Sequence, residues 1–91
     1  MRHAARVDGN QAEIVRALKR VGVSVEYIKQ PFDLVAFNPR TRETMFVEVK
    51  MEDGRLTKAQ AEFMARWPGR VVVARSAEDA VRQVLGAGAF A

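Results

Sequence analysis

The chain has 91 residues, a formal net charge of +4 and no cysteine. That length holds one domain, expected over residues 1–91 with loose tails at 1–7 and 87–91, and leaves no room for a second core. Disulfides are excluded, and the single histidine, His3, is too little for a zinc site of the usual sulfur and nitrogen ligands.

Any metal must therefore be bound through oxygen, which selects Mg²⁺ or Mn²⁺. With 48% apolar and 29% charged residues, the composition is that of a globular domain rather than a disordered chain. The excess of lysine and arginine favours a polyanionic partner. The basic start, Met1 to Arg6, is not followed by the apolar run of a signal peptide, and no membrane-length run occurs, so a reducing cytoplasm is expected and no membrane partner. No Gly-x-x-x-x-Gly-Lys loop is present, and no nucleotide cofactor is expected.

The first element is a helix over Gln11 to Val21. Asn10 is a good N-cap, Glu13 completes a capping-box pattern, Ile14, Val15, Leu18 and Val21 form an apolar stripe, and Gly22 ends it. Three strands follow. Val23 to Ile28 alternates with Ser24 and Glu26, Phe32 to Phe37 is apolar except for Asp33, and Thr44 to Lys50 comes after the turn opened by Asn38, Pro39 and Arg40. After the Asp53-Gly54 turn, Thr57 caps a second helix to about Trp67, with Gln60 at its capping-box position. Pro68 and Gly69 break that helix, Val71 to Ala74 is a short strand, and Ser76 caps a last helix through Leu85. The order is helix, three strands, helix, strand, helix, which implies an α/β fold: a mixed central sheet flanked by helices, with an extra helix at the C-terminus.

Chemistry concentrates in two short segments. On a strand, successive side chains point to opposite faces, so in Phe46-Val47-Glu48-Val49-Lys50 the acid and the lysine emerge together. If the second and third strands are neighbours, Asp33 reaches the same patch, and two carboxylates and one ammonium converge. A divalent cation beside a lysine is equipment for cutting a phosphodiester. Each residue also has a plainer reading. Asp33 can bond backbone amides in its turn, and Glu48 and Lys50 can be a solvated pair on an edge strand. Glu13 and Gln60 can be capping residues only. Asp8 and Asn10 read as turn and cap residues. Arg40, Arg42, Lys58, Arg66 and Arg70 read as backbone contacts for a nucleic acid or as solvated charges. Phe46, Phe63 and Trp67 fit core positions.

The order of elements, together with Asp8 to Val15, Asp33-Leu34-Val35, Phe46 to Lys50, and Leu56 to Gln60 with Phe63 and Trp67, resembles the PD-(D/E)XK nuclease superfamily and its VRR-NUC branch of small phage-type nucleases. Where that family has a Gly-x-Pro-Asp turn, this chain has Gln30-Pro31-Phe32-Asp33, without the glycine and with a phenylalanine inserted.

The resemblance implies a restriction-endonuclease-like αβββαβ core and a metal-dependent endonuclease for DNA in a bacterial or phage-infected cell. It implies Mg²⁺ or Mn²⁺ held by Asp33, Glu48, the Val49 carbonyl and Glu13. Lys50 would act on the attacking water or the phosphate, and Gln60 would orient the lysine or the phosphate. The small size leaves little protein for reading bases, so cutting selective for branched DNA, such as a Holliday junction, is expected of a homodimer. Two rivals share the fold: an inactive nucleic-acid-binding module, and a protein-interaction subunit whose charged pair is only surface.

Overall fold

A computed structural model describes residues 9–86 of the chain. The expected tails, His3 and Asp8 lie outside these residues. The elements run α1 (Gln11–Arg20), β1 (Ser24–Tyr27), β2 (Leu34–Asn38), β3 (Glu43–Val49), α2 (Lys58–Arg66), β4 (Val71–Ala74) and α3 (Ala77–Leu85), in the expected order. No helix among the described residues is long and apolar enough to cross a membrane.

Local chemistry sets most of the boundaries. Helix α1 buries Ile14, Val15 and Leu18 and ends where Gly22, at φ 90°, lets Gly22 N–H bond Lys19 O and Val23 N–H bond Leu18 O. This is a Schellman ending, and its left-handed residue is where glycine costs least. Helix α2 has the capping box expected of Thr57 and Gln60, and the Ser76 hydroxyl accepts from Asp79 N–H at the start of α3.

The box expected at Asn10 and Glu13 does not form. Asn10 stands at the N-cap without a side-chain cap bond: its Nδ2 donates to Arg75 O at 2.9 Å and Lys50 O at 3.3 Å, and its buried Oδ1, the atom that would cap, has no partner among the described residues. The amide makes tertiary bonds rather than the local one.

The sheet order is β1-β2-β3-β4, antiparallel at the first two joints and parallel between β3 and β4, with α2 as the crossover that a parallel pair requires. The alternation of side chains divides the sheet into two faces. On one, Val25, Leu34, Ala36, Met45, Val47, Val49, Val72 and Ala74 pack with Ile14, Val15 and Leu18 of α1 and Ala80 and Val84 of α3. On the other, Phe46 meets Phe63 of α2 and Trp67, the C-cap of that helix, at ring distances of 6.1 and 5.6 Å. Phe32, the inserted residue of the Pro-Phe-Asp turn, is 1% exposed and lies 5.7 Å from Phe46 and 5.5 Å from Phe63. The insertion therefore fills the second face. With helices on both faces of a mixed sheet, the expected restriction-endonuclease-like architecture is present.

Candidate active site

Glu48 and Lys50 lie on the same face of β3 as Phe46, beyond its aromatic ring. Strand β2 begins at Leu34, so Asp33 stands just before it rather than within it as expected. The last pair of the ladder is Leu34 with Val47, and the next position in that register sets Asp33 opposite Glu48. There the Asp33 carboxylate replaces backbone pairing: its Oδ2 accepts from Val49 N–H at 2.8 Å. The plain reading of Asp33, a carboxylate on a backbone amide, holds through that one oxygen and leaves the other for a ligand.

Lys50 Nζ lies 3.3 Å from Glu48 Oε2, with the two side chains 17% and 5% exposed. Glu48 Oε1 is buried and has no hydrogen-bond partner among the described residues. Burial first, and then the nearby Asp33 charge, push the Glu48 carboxyl above the ordinary glutamate value; Gln60 and Lys50 pull it back down. Two carboxylates facing one another with a single lysine leave a local excess of negative charge, half of it poorly solvated.

Gln60 makes the capping contact and also lies beside Glu48. Its Oε1 accepts Thr57 N–H at 3.1 Å, so its NH₂ group is what remains for the Glu48 carboxylate. Helix α2 runs antiparallel along β3. Gln60 stands over Glu48, and Phe63, one turn later on α2, stands over Phe46 with Trp67, the C-cap of the helix.

The backbone that carries Lys50 is tied from three directions. Lys50 N–H bonds Ala74 O at 3.0 Å, and Asn10 Nδ2 holds Lys50 O. Arg75 Nη1 donates to Met51 O at 2.8 Å, Gly54 O at 2.7 Å and Glu52 O at 3.3 Å, which folds the following loop back. A Cβ on Gly54 would sit 3.2 Å from Lys50 Cδ, so the loop passes close against the stem of the lysine and glycine leaves it room. Because the Lys50 N–H points to β4, the trans peptide aims the Val49 carbonyl the opposite way, toward the Asp33 side.

Glu13 is not brought to this cluster. It is exposed on α1, whose buried stripe packs on the opposite face of the sheet, and the described residues contain no group of three or more His, Cys, Asp or Glu placed to hold a metal. The polar residue that α1 does bury is Gln11, 9% exposed, next to the Asn10 that bonds Lys50 O. Sequence reasoning passed over it, although its position three and seven residues before Ile14 and Leu18 already placed it on the buried stripe.

Of the expected backbone contacts, Arg70 is committed to Glu43 at 3.2 Å and to Gln83 O. Arg42 lies 5.9 Å over the Phe37 ring and Arg66 5.0 Å over the Phe63 ring. Arg40 and Lys58 are exposed.

The donor set fits Mg²⁺ or Mn²⁺. Such ions are held through one or two carboxylates while keeping several waters, and the orphaned Glu48 oxygen opposite Asp33 is the kind of atom a cation would satisfy. Among known families, the model of the VRR-NUC domain matches residues 31–78, from the Pro31 turn through β4 into the first turn of α3. No curated protein and no solved structure matches the chain.

Proposed function

We infer the function from one premise: the chain belongs to the VRR-NUC domain family, whose model spans more than half of it, and that domain implies a nuclease-type function. On that premise, the reading is a metal-dependent endonuclease that hydrolyses DNA phosphodiester bonds and selects DNA structure, such as a branch or Holliday junction, rather than sequence. The observation that supports it most is the convergence of Asp33, Glu48 and Lys50, with one buried Glu48 oxygen left unpartnered.

Asp33 and Glu48 would hold one Mg²⁺ or Mn²⁺, with the Val49 carbonyl as a further donor. Bound there, the ion supplies Lewis-acid chemistry: it neutralises phosphate oxygens and acidifies a water. The remaining work belongs to the chain. Asp33 fixes the end of β3 through Val49 N–H, and so fixes the direction of the Val49 carbonyl. Gln60 and Lys50 favour the charged form of Glu48 against its burial. Lys50 Nζ, on the open side of Glu48, orients the attacking water or holds the charge that builds on the phosphate oxygens. In-line attack with the 3′-oxygen leaving gives a 5′-phosphate and a 3′-hydroxyl.

Structure selectivity follows from economy of material. A chain of only 91 residues leaves little protein for reading base edges once a core has been built. A symmetric pair of copies would present two such sites to paired strands of a junction.

The test is cleavage of labelled four-way-junction, flap and linear DNA in Mg²⁺, Mn²⁺ or EDTA, with the wild type and Lys50→Ala. The reading expects metal-dependent cutting, strongest on branched DNA and lost in the variant. DNA binding without cutting by folded wild type in both metals would overturn it in favour of an inactive nucleic-acid-binding module.

A further inference from the structure

Beside the carboxylates, the turn at Pro31 and the flank of α2 enclose an open groove of about 370 Å³, lined by Gln30, Pro31, Ala59, Gln60, Phe63 and Arg66. We propose that this groove seats the DNA strand next to the scissile phosphate, with Arg66 as its phosphate contact and Pro31 and the Phe63 edge as apolar walls for a sugar or base. The proposal rests on the nuclease reading.

Position comes first. Gln60 belongs both to the groove and to the surroundings of Glu48, so a strand leaving the reacting centre enters the groove directly. Ala59, Phe63 and Arg66 are spaced to share one side of α2. From Gln60 to Arg66 the helix rises about 9 Å, a distance that a DNA strand covers within a few nucleotides.

Charge comes second. No carboxylate lines the groove itself. Arg66 has no carboxylate partner among the described residues; its guanidinium lies over the Phe63 ring at 5.0 Å. A guanidinium placed on a ring still offers N–H donors suited to phosphate oxygens.

Two other grooves lack this combination. One is lined by Glu52, Arg75, Ser76 and Asp79, with two acids and an arginine already bonded to loop carbonyls. The other contains Thr44, Trp67 and Arg70, and its arginine is paired with Glu43.

The test is fluorescence anisotropy of labelled single-stranded and four-way-junction DNA with the full chain, in EDTA, across a salt series. Arg66→Ala should weaken binding several-fold and lower the slope of log affinity against log salt by about one. Ala59 is exposed, so substitutions there leave the core alone. Ala59→Glu should weaken binding and Ala59→Lys should strengthen it. The cleavage rate at saturating DNA should stay within about twofold for all three, so that the change falls in KM and not in kcat. Wild-type binding with affinity and salt slope unchanged in both Arg66→Ala and Ala59→Glu would take the strand out of the groove and leave the nuclease reading standing. A folded wild type that neither binds nor cuts DNA would overturn both.

Discussion

The two faces of the sheet are built from different materials. The face under α1 and α3 is aliphatic, with every core residue at most 6% exposed. The face under α2 carries an aromatic cluster, then Glu48, Lys50 and Asp33 at its end. The first face gains its stability chiefly from apolar burial, with the buried Asn38 amide satisfied by Val84 O and Arg40 N–H. The second holds a desolvated carboxylate whose charged form opposes folding. In this molecule, packing and chemistry are separated by the pleat of a single strand: Val47 and Val49 point one way, Phe46, Glu48 and Lys50 the other.

The separation breaks most visibly under a change on the aliphatic face. Leu34 is fully buried between the sheet and its helices, and Leu34→Ala should cost roughly 2–5 kcal/mol. In a domain whose whole stability is about 5–15 kcal/mol, that is a large share. Urea unfolding reads it, and a loss below about 1 kcal/mol would contradict a sealed face. Next comes the tie behind the site: Arg75→Ala strips donors from three loop carbonyls and should cost about 1–2 kcal/mol. Cleavage should fall by more than that loss of folded protein explains, because Lys50 loses its backing.

The third test concerns the sign of the Glu48 contribution. Its folded carboxyl is raised above the unfolded value, so its stabilising contribution is complete below about pH 4.3 and is lost as pH rises through the folded value. Glu48→Gln in EDTA should therefore be at least as stable as wild type at neutral pH. The difference should close on acidification, as seen by thermal unfolding at a series of pH values. The smallest effect is expected from Gly54→Ala. The new methyl must shift the Lys50 stem by a few tenths of an ångström, raising the cleavage barrier by about 1 kcal/mol or less with little loss of stability.

What the sequence disclosed follows from the range of the interactions involved. Alternation located β1, short apolar runs between turn residues located the other strands, and the Thr57–Gln60 box and the Gly22 ending located helix termini, because each is written within a few neighbouring residues. The Glu48–Lys50 pair was legible for the same reason. Asn10 and Glu13 carried an equally good local signature, but the Asn10 amide went to carbonyls 40 and 65 residues away. The hold of Arg75 on the loop spans 21 to 24 residues and has no local signature at all. The phenylalanine of the Pro-Phe-Asp turn, a departure from the family pattern in one dimension, is a core residue in three.

The central claim is that the charged end of the second face binds a divalent ion and uses it to cut DNA, independently of the face that holds the fold. The most direct test measures Mn²⁺-dependent cleavage of junction DNA together with the shift in unfolding temperature on adding Mn²⁺, for wild type and Glu48→Gln. The account predicts that wild type cuts and is stabilised by the ion, whereas the variant does neither and yet unfolds no earlier in EDTA. A variant that still cuts and is stabilised by Mn²⁺ as wild type is would contradict it.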